Sequence, residues 1–171
     1  MENDNPMRRL VIEKVTLNVG VGEPGDKMEK IKNLVEKISG TKAVKTTTKK
    51  RIPAWDIRPG LEIGVMTTLR GKSAEELLGR LMTGVENGIK SSNFDNNGNL
   101  SFGISEYVHI PGVKYDYTVG IVGLSVSVTM KRPGFSISKK RIARKVGKTH
   151  RIHKEEAIQF IKDKYRIGIG D

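Results

Sequence analysis

The chain has no cysteine. Disulfides and cysteine-ligated metal centres are therefore excluded, and the composition suits a reducing compartment. Aromatic residues make up only 5% of the 171 residues. No run of Phe and Tyr offers a platform for stacking splayed RNA bases. No apolar run approaches the ~20 residues of a membrane-spanning helix, so no membrane partner is expected. The opening MENDNPMRRL is too acidic and too poor in apolar residues for a signal peptide. Together these absences predict a cytoplasmic protein without a cofactor.

One further absence is local. Lys131–Lys154, KRPGFSISKKRIARKVGKTHRIHK, holds ten Lys or Arg and two His but no acidic residue. The whole chain carries a formal net charge of +12. Such a patch calls for a polyanion, because each Lys or Arg that meets a phosphate releases condensed counterions. A solvated, disordered basic tail is the plainer alternative. Gly134, Phe135, Ile137, Ile142 and Val146 argue instead that part of the segment packs. No carboxylate or thiol near His150 and His153 completes a metal site, so phosphate is their expected partner; His109 stands alone and reads as structural.

The rest of the chain is patterned for a single α+β domain spanning residues 1–171. Val15, Leu17, Val19 and Val21 alternate with Lys14, Thr16, Asn18 and Gly20, predicting a strand over Val11–Val21 with one buried face. Asp26 and Glu29 form a capping-box pattern ahead of a helix that Gly40 stops. A second strand is expected over Ala43–Thr48 and a third over Leu61–Arg70. Ser73 and Glu76 suggest another capping box, with Leu77, Leu78, Leu81, Met82, Val85 and Ile89 as the buried face of its helix. Alternating runs at Leu100–Ile104 and Val122–Met130 and a closing helix over Lys154–Lys164 complete a β-α-β-β-α-β-β-α order. That order predicts a largely antiparallel sheet with helices packed on one face.

The outward faces of four strands carry Gly, Ser, Thr and Asn, where a solvated sheet usually shows longer side chains. Short side chains admit a bulky partner close to the backbone, and their hydroxyls and amides suit phosphate and 2′-OH oxygens. The alternatives are plain solvent exposure or cover by the C-terminal segment. Gly20 and Gly25 have the spacing of a phosphate-cradling loop, but Asp26 and Met28 replace the residues that loop needs, so nucleotide binding is not expected. Trp55, in a loop stiffened by Pro53 and Pro59, either stacks on RNA or anchors the loop to the core. No nucleophile, base and orienting group cluster in a catalytic pattern.

Four segments carry a resemblance: VTLNVGVGE (Val15–Glu23), KRIPAWDIRPGLEIGVMTTLRG (Lys50–Gly71), GIVGLSVSV (Gly120–Val128) and KRPGF (Lys131–Phe135). In order and over nearly the whole chain, they resemble the universal fifth large-subunit ribosomal protein family, which binds 5S rRNA. RPGF before a long basic segment, followed by HRIHKEEAIQFIKDKY, is similar to the archaeal and eukaryotic branch, and archaeal is the expectation. The resemblance implies a sheet whose open face binds a helix–loop of 5S rRNA. It also implies a place in the central protuberance, with contacts to 23S rRNA and neighbouring ribosomal proteins. A loop between the second and third strands, here Arg51–Gly60, would reach toward the peptidyl-site tRNA.

The family's Leu-Asn-x-Gly maps onto Leu17, Asn18 and Gly20, its Ile-Arg-x-Gly onto Ile57, Arg58 and Gly60, and its Thr-Leu-Arg-Gly onto Thr68, Leu69, Arg70 and Gly71. Pro53, Ala54, Trp55 and Asp56 depart from the family's usual Ala-Gly-Phe-Lys, and Asp56 would face tRNA phosphate unfavourably. Thr46–Thr48 is also richer in hydroxyls than the family's usual small-and-basic mix.

The expected RNA-binding residues are Lys14, Thr16, Asn18 and Gly20 on the first strand, then Thr46, Lys49, Lys50 and Arg51, then Thr68 and Arg70. Lys139, Lys140, Arg141, Arg144, Lys145 and Lys148 would neutralise rRNA backbone, and Trp55, Arg58 and Gly60 would face tRNA. A generic DNA- or RNA-binding protein outside the ribosome and an RNA-processing enzyme are the rival readings. If six phosphates are neutralised as in single strands, log K against log salt should fall with a slope of about −4. Anisotropy titrations with structured RNA at several salt concentrations measure it, and a nearly flat response contradicts it.

Overall fold

Alternation builds the sheet. The computed structural model describes residues 5–22, 25–85 and 88–170. Its main strands are β1 (Val11–Gly20), β2 (Val44–Thr47), β3 (Glu62–Leu69), β5 (Leu100–Ile104) and β6 (Leu124–Lys131), with the two-residue β4 (Ile89–Lys90) and β7 (Ile169–Gly170). The five main strands form one antiparallel sheet in the order β2-β3-β1-β6-β5, while β4 and β7 pair in parallel. Three helices, α1 (Asp26–Ser39), α2 (Lys72–Thr83) and α3 (Lys154–Tyr165), follow β1, β3 and β6, and the short β4 and β7 add to the strands read from sequence.

The apolar half of each alternation is buried: Val15, Leu17 and Val19 on β1, Val65 and Leu69 on β3, Phe102 and Ile104 on β5, Val126 and Val128 on β6. Against them lie Met28, Ile31, Val35 and Ile38 of α1 and Leu77, Leu78 and Leu81 of α2, in one core cluster. Each such side chain contributes about 1.5–3 kcal/mol when fully buried. The core continues into Ile152, Ala157 and Ile161, which tie α3 to it. Tyr165 lies along Gly79 of α2 and donates to the Glu75 carbonyl at 3.2 Å. Burial, with Glu75 adding to it, pushes its phenol up to about 12.

Several boundaries differ from the sequence expectations, for physical reasons. Neither expected capping box forms. Gly25 (φ 132°) and Gly71 (φ 67°) precede the helices in conformations that L residues avoid. The helices therefore begin at Asp26 and Lys72, which puts the expected caps inside the first turn. Glu29 instead pairs with Lys45 at 2.5 Å. The helix α2 ends at Thr83, so Val85 and Ile89 are not part of its face; Ile89 is buried from β4. The second strand starts at Val44 and ends at Thr47, and Val21 and Val122 lie just outside their strands. Of the motif Val15–Glu23, Glu23 lies outside the described residues.

The turn before β5 packs against the start of α3. The Asp95 carbonyl accepts from the Gly98 N–H at 2.9 Å, and Gly98 has φ +76°. A Cβ there would collide with the Ile152 side chain and crowd Ala157. Gly98→Ala combines backbone strain with overpacking and should cost about 2–4 kcal/mol. Urea unfolding measures it; an unchanged midpoint would show that Ile152 is not held by this turn.

Candidate nucleic-acid interface

The outward half of the alternation forms rows across the open face. Thr68, Thr16, Ser127 and Ser101 are successive cross-strand partners, as are Val44, Met66, Asn18, Ser125 and Gly103. Gly20 faces Gly64, which in turn faces Thr46. Asn18, Thr68, Ser101, Gly103, Ser125 and Ser127 are exposed, so neither helix nor basic segment covers this face. The Ser residues of β5 and β6 belong to it as fully as the expected Thr16 and Thr68. Their signal was already present in the alternation of Leu124–Met130. Lys14 sits at the end of this strand face opposite Thr129 and is partly buried.

The arm beyond β2 extends the sheet's edge. Thr48 and Leu61 bond across its base at 2.9 Å, Thr48 Oγ1 donates to the Arg58 carbonyl at 2.6 Å, and the Gly60 N–H donates to the Thr48 carbonyl at 2.9 Å. Ile52 and Ile57 then pair through two backbone bonds. Pro53–Trp55 make a single 3-10 turn at the tip, and Asp56 closes it in the left-handed region at φ 50°. Trp55 is 71% exposed. Of the two sequence readings, anchoring to the core is therefore excluded; Ile57, not Trp55, is the arm's buried apolar side chain. Lys49, Lys50, Arg51 and Arg58 are all exposed along the arm.

The basic segment forms a loop with a closed stem. Arg132, 6% exposed, donates from Nη2 to Glu156 Oε2 at 2.8 Å and from Nη1 to the Arg151 carbonyl at 3.4 Å. His150 Nε2 bonds the Pro133 carbonyl at 2.8 Å, and its ring meets Phe135 edge-on, centroids 5.6 Å apart. His150 is therefore structural rather than phosphate-facing, whereas the His153 residue is exposed and its backbone N–H donates to Glu156 Oε2 at the start of α3. Phe135 packs on the core as expected, but Ile142 is 80% exposed. Lys140, Arg141, Arg144, Lys145 and Lys148 stand exposed around the loop.

Two expected phosphate contacts already have a carboxylate partner. Lys139 is hydrogen-bonded to Glu13, and Arg70 lies 3.7 Å from the same oxygen. The sequence reading missed Glu13. Lys139 holds its carboxyl below the ordinary value of 4.5; burial opposes this, and Lys131 and Arg70 add to the lowering. Among the described residues no cluster of three or more His, Cys, Asp or Glu side chains forms a metal site.

Residues 5–58 match the family "Ribosomal protein L5", and residues 62–160 match the model of that ribosomal family's C-terminus. The chain belongs to the ribosomal protein L5 family. Its relatives include the "Large ribosomal subunit protein uL5" of Nanoarchaeum equitans, 47% identical over 97% of this chain and 99% of the relative. That of Sulfurisphaera tokodaii is 46% identical over 96% and 94%, and that of Methanococcoides burtonii 42% over 96% and 98%. The chain is thus an L5-family protein of archaeal type, a structural component of the cytoplasmic ribosome and not an enzyme. The motifs that carried the resemblance fall in three places: β1 (Leu17 in the core, Asn18 and Gly20 on the open face), the arm (Ile57, Arg58, Gly60), and the junction of β3 with α2 (Thr68 to Gly71).

The Glu13 carboxyl gives a pH signature. Its folded pKa is lowered, so the stability it contributes is present above the unfolded carboxylate value and is lost as pH falls through the folded one. NMR titration should place its midpoint below 4.5. Glu13→Gln should lose less stability over that acidic range than the parent. A midpoint at or above the ordinary value contradicts the ion-pair assignment.

Proposed function

We propose that the chain is a constituent of the large ribosomal subunit that binds 5S rRNA on its open face. It helps join 5S to 23S rRNA in the central protuberance, beside neighbouring ribosomal proteins, and its arm, residues 51–60, contacts peptidyl-site tRNA. All 171 residues act as one RNA-binding domain, with 131–154 as its basic segment. The observation that carries this reading is the exposed sheet face, rich in Gly, Ser, Thr and Asn, flanked by the basic arm and the basic loop. The relatives' shared name, which places them in the large subunit, supports it.

The chemistry follows from the residues. A face of short side chains lets an RNA backbone approach the sheet closely, where Thr16, Asn18, Thr46 and Thr68 and the β5–β6 serines offer donors and acceptors to phosphate and 2′-OH groups. With no aromatic platform, recognition rests on shape and backbone rather than stacked bases. Gly20 adds no side chain at the end of β1 and leaves the backbone open to a partner there. Lys14, Lys49, Lys50, Arg51 and the cations of residues 140–148 neutralise the surrounding phosphates, while Lys139 is held by Glu13. On the arm, Trp55 offers a ring for stacking and Arg58 a cation, while the Asp56 carboxylate repels phosphate and leaves the ring as the tip's main contact.

Binding to 5S rRNA at about 0.15 M salt, against an equal-length unrelated structured RNA and duplex DNA, tests the reading. Preference for 5S rRNA is expected. Asn18→Glu should weaken it about tenfold or more, through a lost hydrogen bond and an added like charge. Trp55→Ala should leave 5S binding intact while reducing tRNA contact in assembled ribosomes. Equal binding to all competitors would reduce the chain to a generic polyanion binder and contradict the proposal.

A further inference from the structure

An acidic side chain inside an RNA-binding surface needs an explanation. Glu13 is such a residue. Ile12 faces Met130 on β6 and Lys14 faces its neighbour Thr129, so β1 holds one residue more than its partner there, and Glu13 is that residue. A bulge of this kind re-aims a side chain out of the strand's alternation. Here the carboxylate ends only 10% exposed and accepts from Lys139, with Arg70 3.7 Å away. Lys139 belongs to the basic loop, 126 residues further along the chain.

A cleft of about 320 Å³, lined by Glu13 and Lys145 together with Met130, Phe135, Val146 and Ile152 among others, separates the loop from the body of the protein on that side. The loop's stem is closed separately by Arg132, Glu156 and the His150–Pro133 bond. The bonds of its outer part, Ser138 to the Phe135 carbonyl and Arg144 to the Ile137 carbonyl, are internal to the loop. Among the described residues, the Lys139–Glu13 pair is the ion pair that joins this outer part to the sheet.

We propose that Glu13 is a positioning residue for RNA binding: through Lys139 it holds the basic loop along the edge of the open face, so that the loop meets RNA preorganised. The proposal rests on the RNA-binding reading above. Simple electrostatics predicts the opposite behaviour. Removing a negative charge would tighten binding and free Lys139 for one more phosphate, steepening the salt slope by about 0.7–0.9. A positioning role makes the acid favourable, because a released loop must be reordered on binding.

The test compares the full-length parent, Glu13→Gln and the control Glu155→Gln, whose side chain is exposed on α3. Amide exchange over residues 136–146 is measured in the free proteins, and affinity and salt slope are measured with 5S rRNA. Expected for Glu13→Gln are faster exchange in that stretch and affinity about three- to tenfold weaker, with a slope no steeper than the parent's. Glu155→Gln should bind as tightly as the parent or slightly tighter. Unchanged exchange overturns the proposal, and so does unchanged or tighter binding by Glu13→Gln. Should Glu13→Gln fail to fold, Lys139→Gln removes the same tether from an exposed position, and the exchange readout alone decides. A parent protein without affinity for RNA overturns the functional reading as well, whereas a parent that binds beside a Glu13→Gln variant that binds no worse overturns the positioning role alone.

Discussion

The pairing of β1 with both β3 and β6 is the constraint on which everything else depends. Side chains alternate with period two, so a slip of one residue in either pairing would exchange the two faces. In the observed register Val15, Leu17 and Val19 meet the helices, and Thr16 and Asn18 look out between Thr68, Met66, Ser127 and Ser125. A β-strand with one strongly apolar face has little freedom to do otherwise: the transfer of those aliphatic side chains from water fixes the register, and the register places every hydroxyl and amide of the open face. The same interaction that stabilises the fold thus composes the open face.

Where that alternation is unbroken, the sequence was a sufficient guide. The five strands, the three helices and the small-residue face can be read from period two, period 3.6 and the turn residues. Reading failed where the deciding contact lies far away in the chain or where the backbone leaves the standard regions. Gly25 and Gly71 start their helices earlier than a capping box would. Val85 and Ile89 continue a helical spacing that Gly84 has already ended. His150 is claimed by a carbonyl seventeen residues away and Arg132 by a carboxylate twenty-four residues away. Neither partnership has a local signature. Glu13 escaped notice because a bulge is an exception to the very rule used to find strands.

Charge is organised in two ways in this molecule. Along the arm and around the loop, cations stand exposed, as a surface meant for a polyanion requires. At the loop's stem and beside Arg70, cations are instead matched by Glu156 and Glu13, and these pairs shape the segment rather than neutralise a partner. The net charge of +12 thus combines exposed cations with ones already matched by carboxylates. The L5-family membership supplies the setting, and the geometry supplies the division of labour.

Chemical-shift mapping of the labelled full-length chain on addition of 5S rRNA tests the central claim most directly. The account predicts that perturbations concentrate on Thr16, Asn18, Thr68, Ser125, Ser127 and the basic loop, leaving the outer surfaces of α1 and α2 unchanged. Perturbations confined to those helices, with the open face silent, would contradict it.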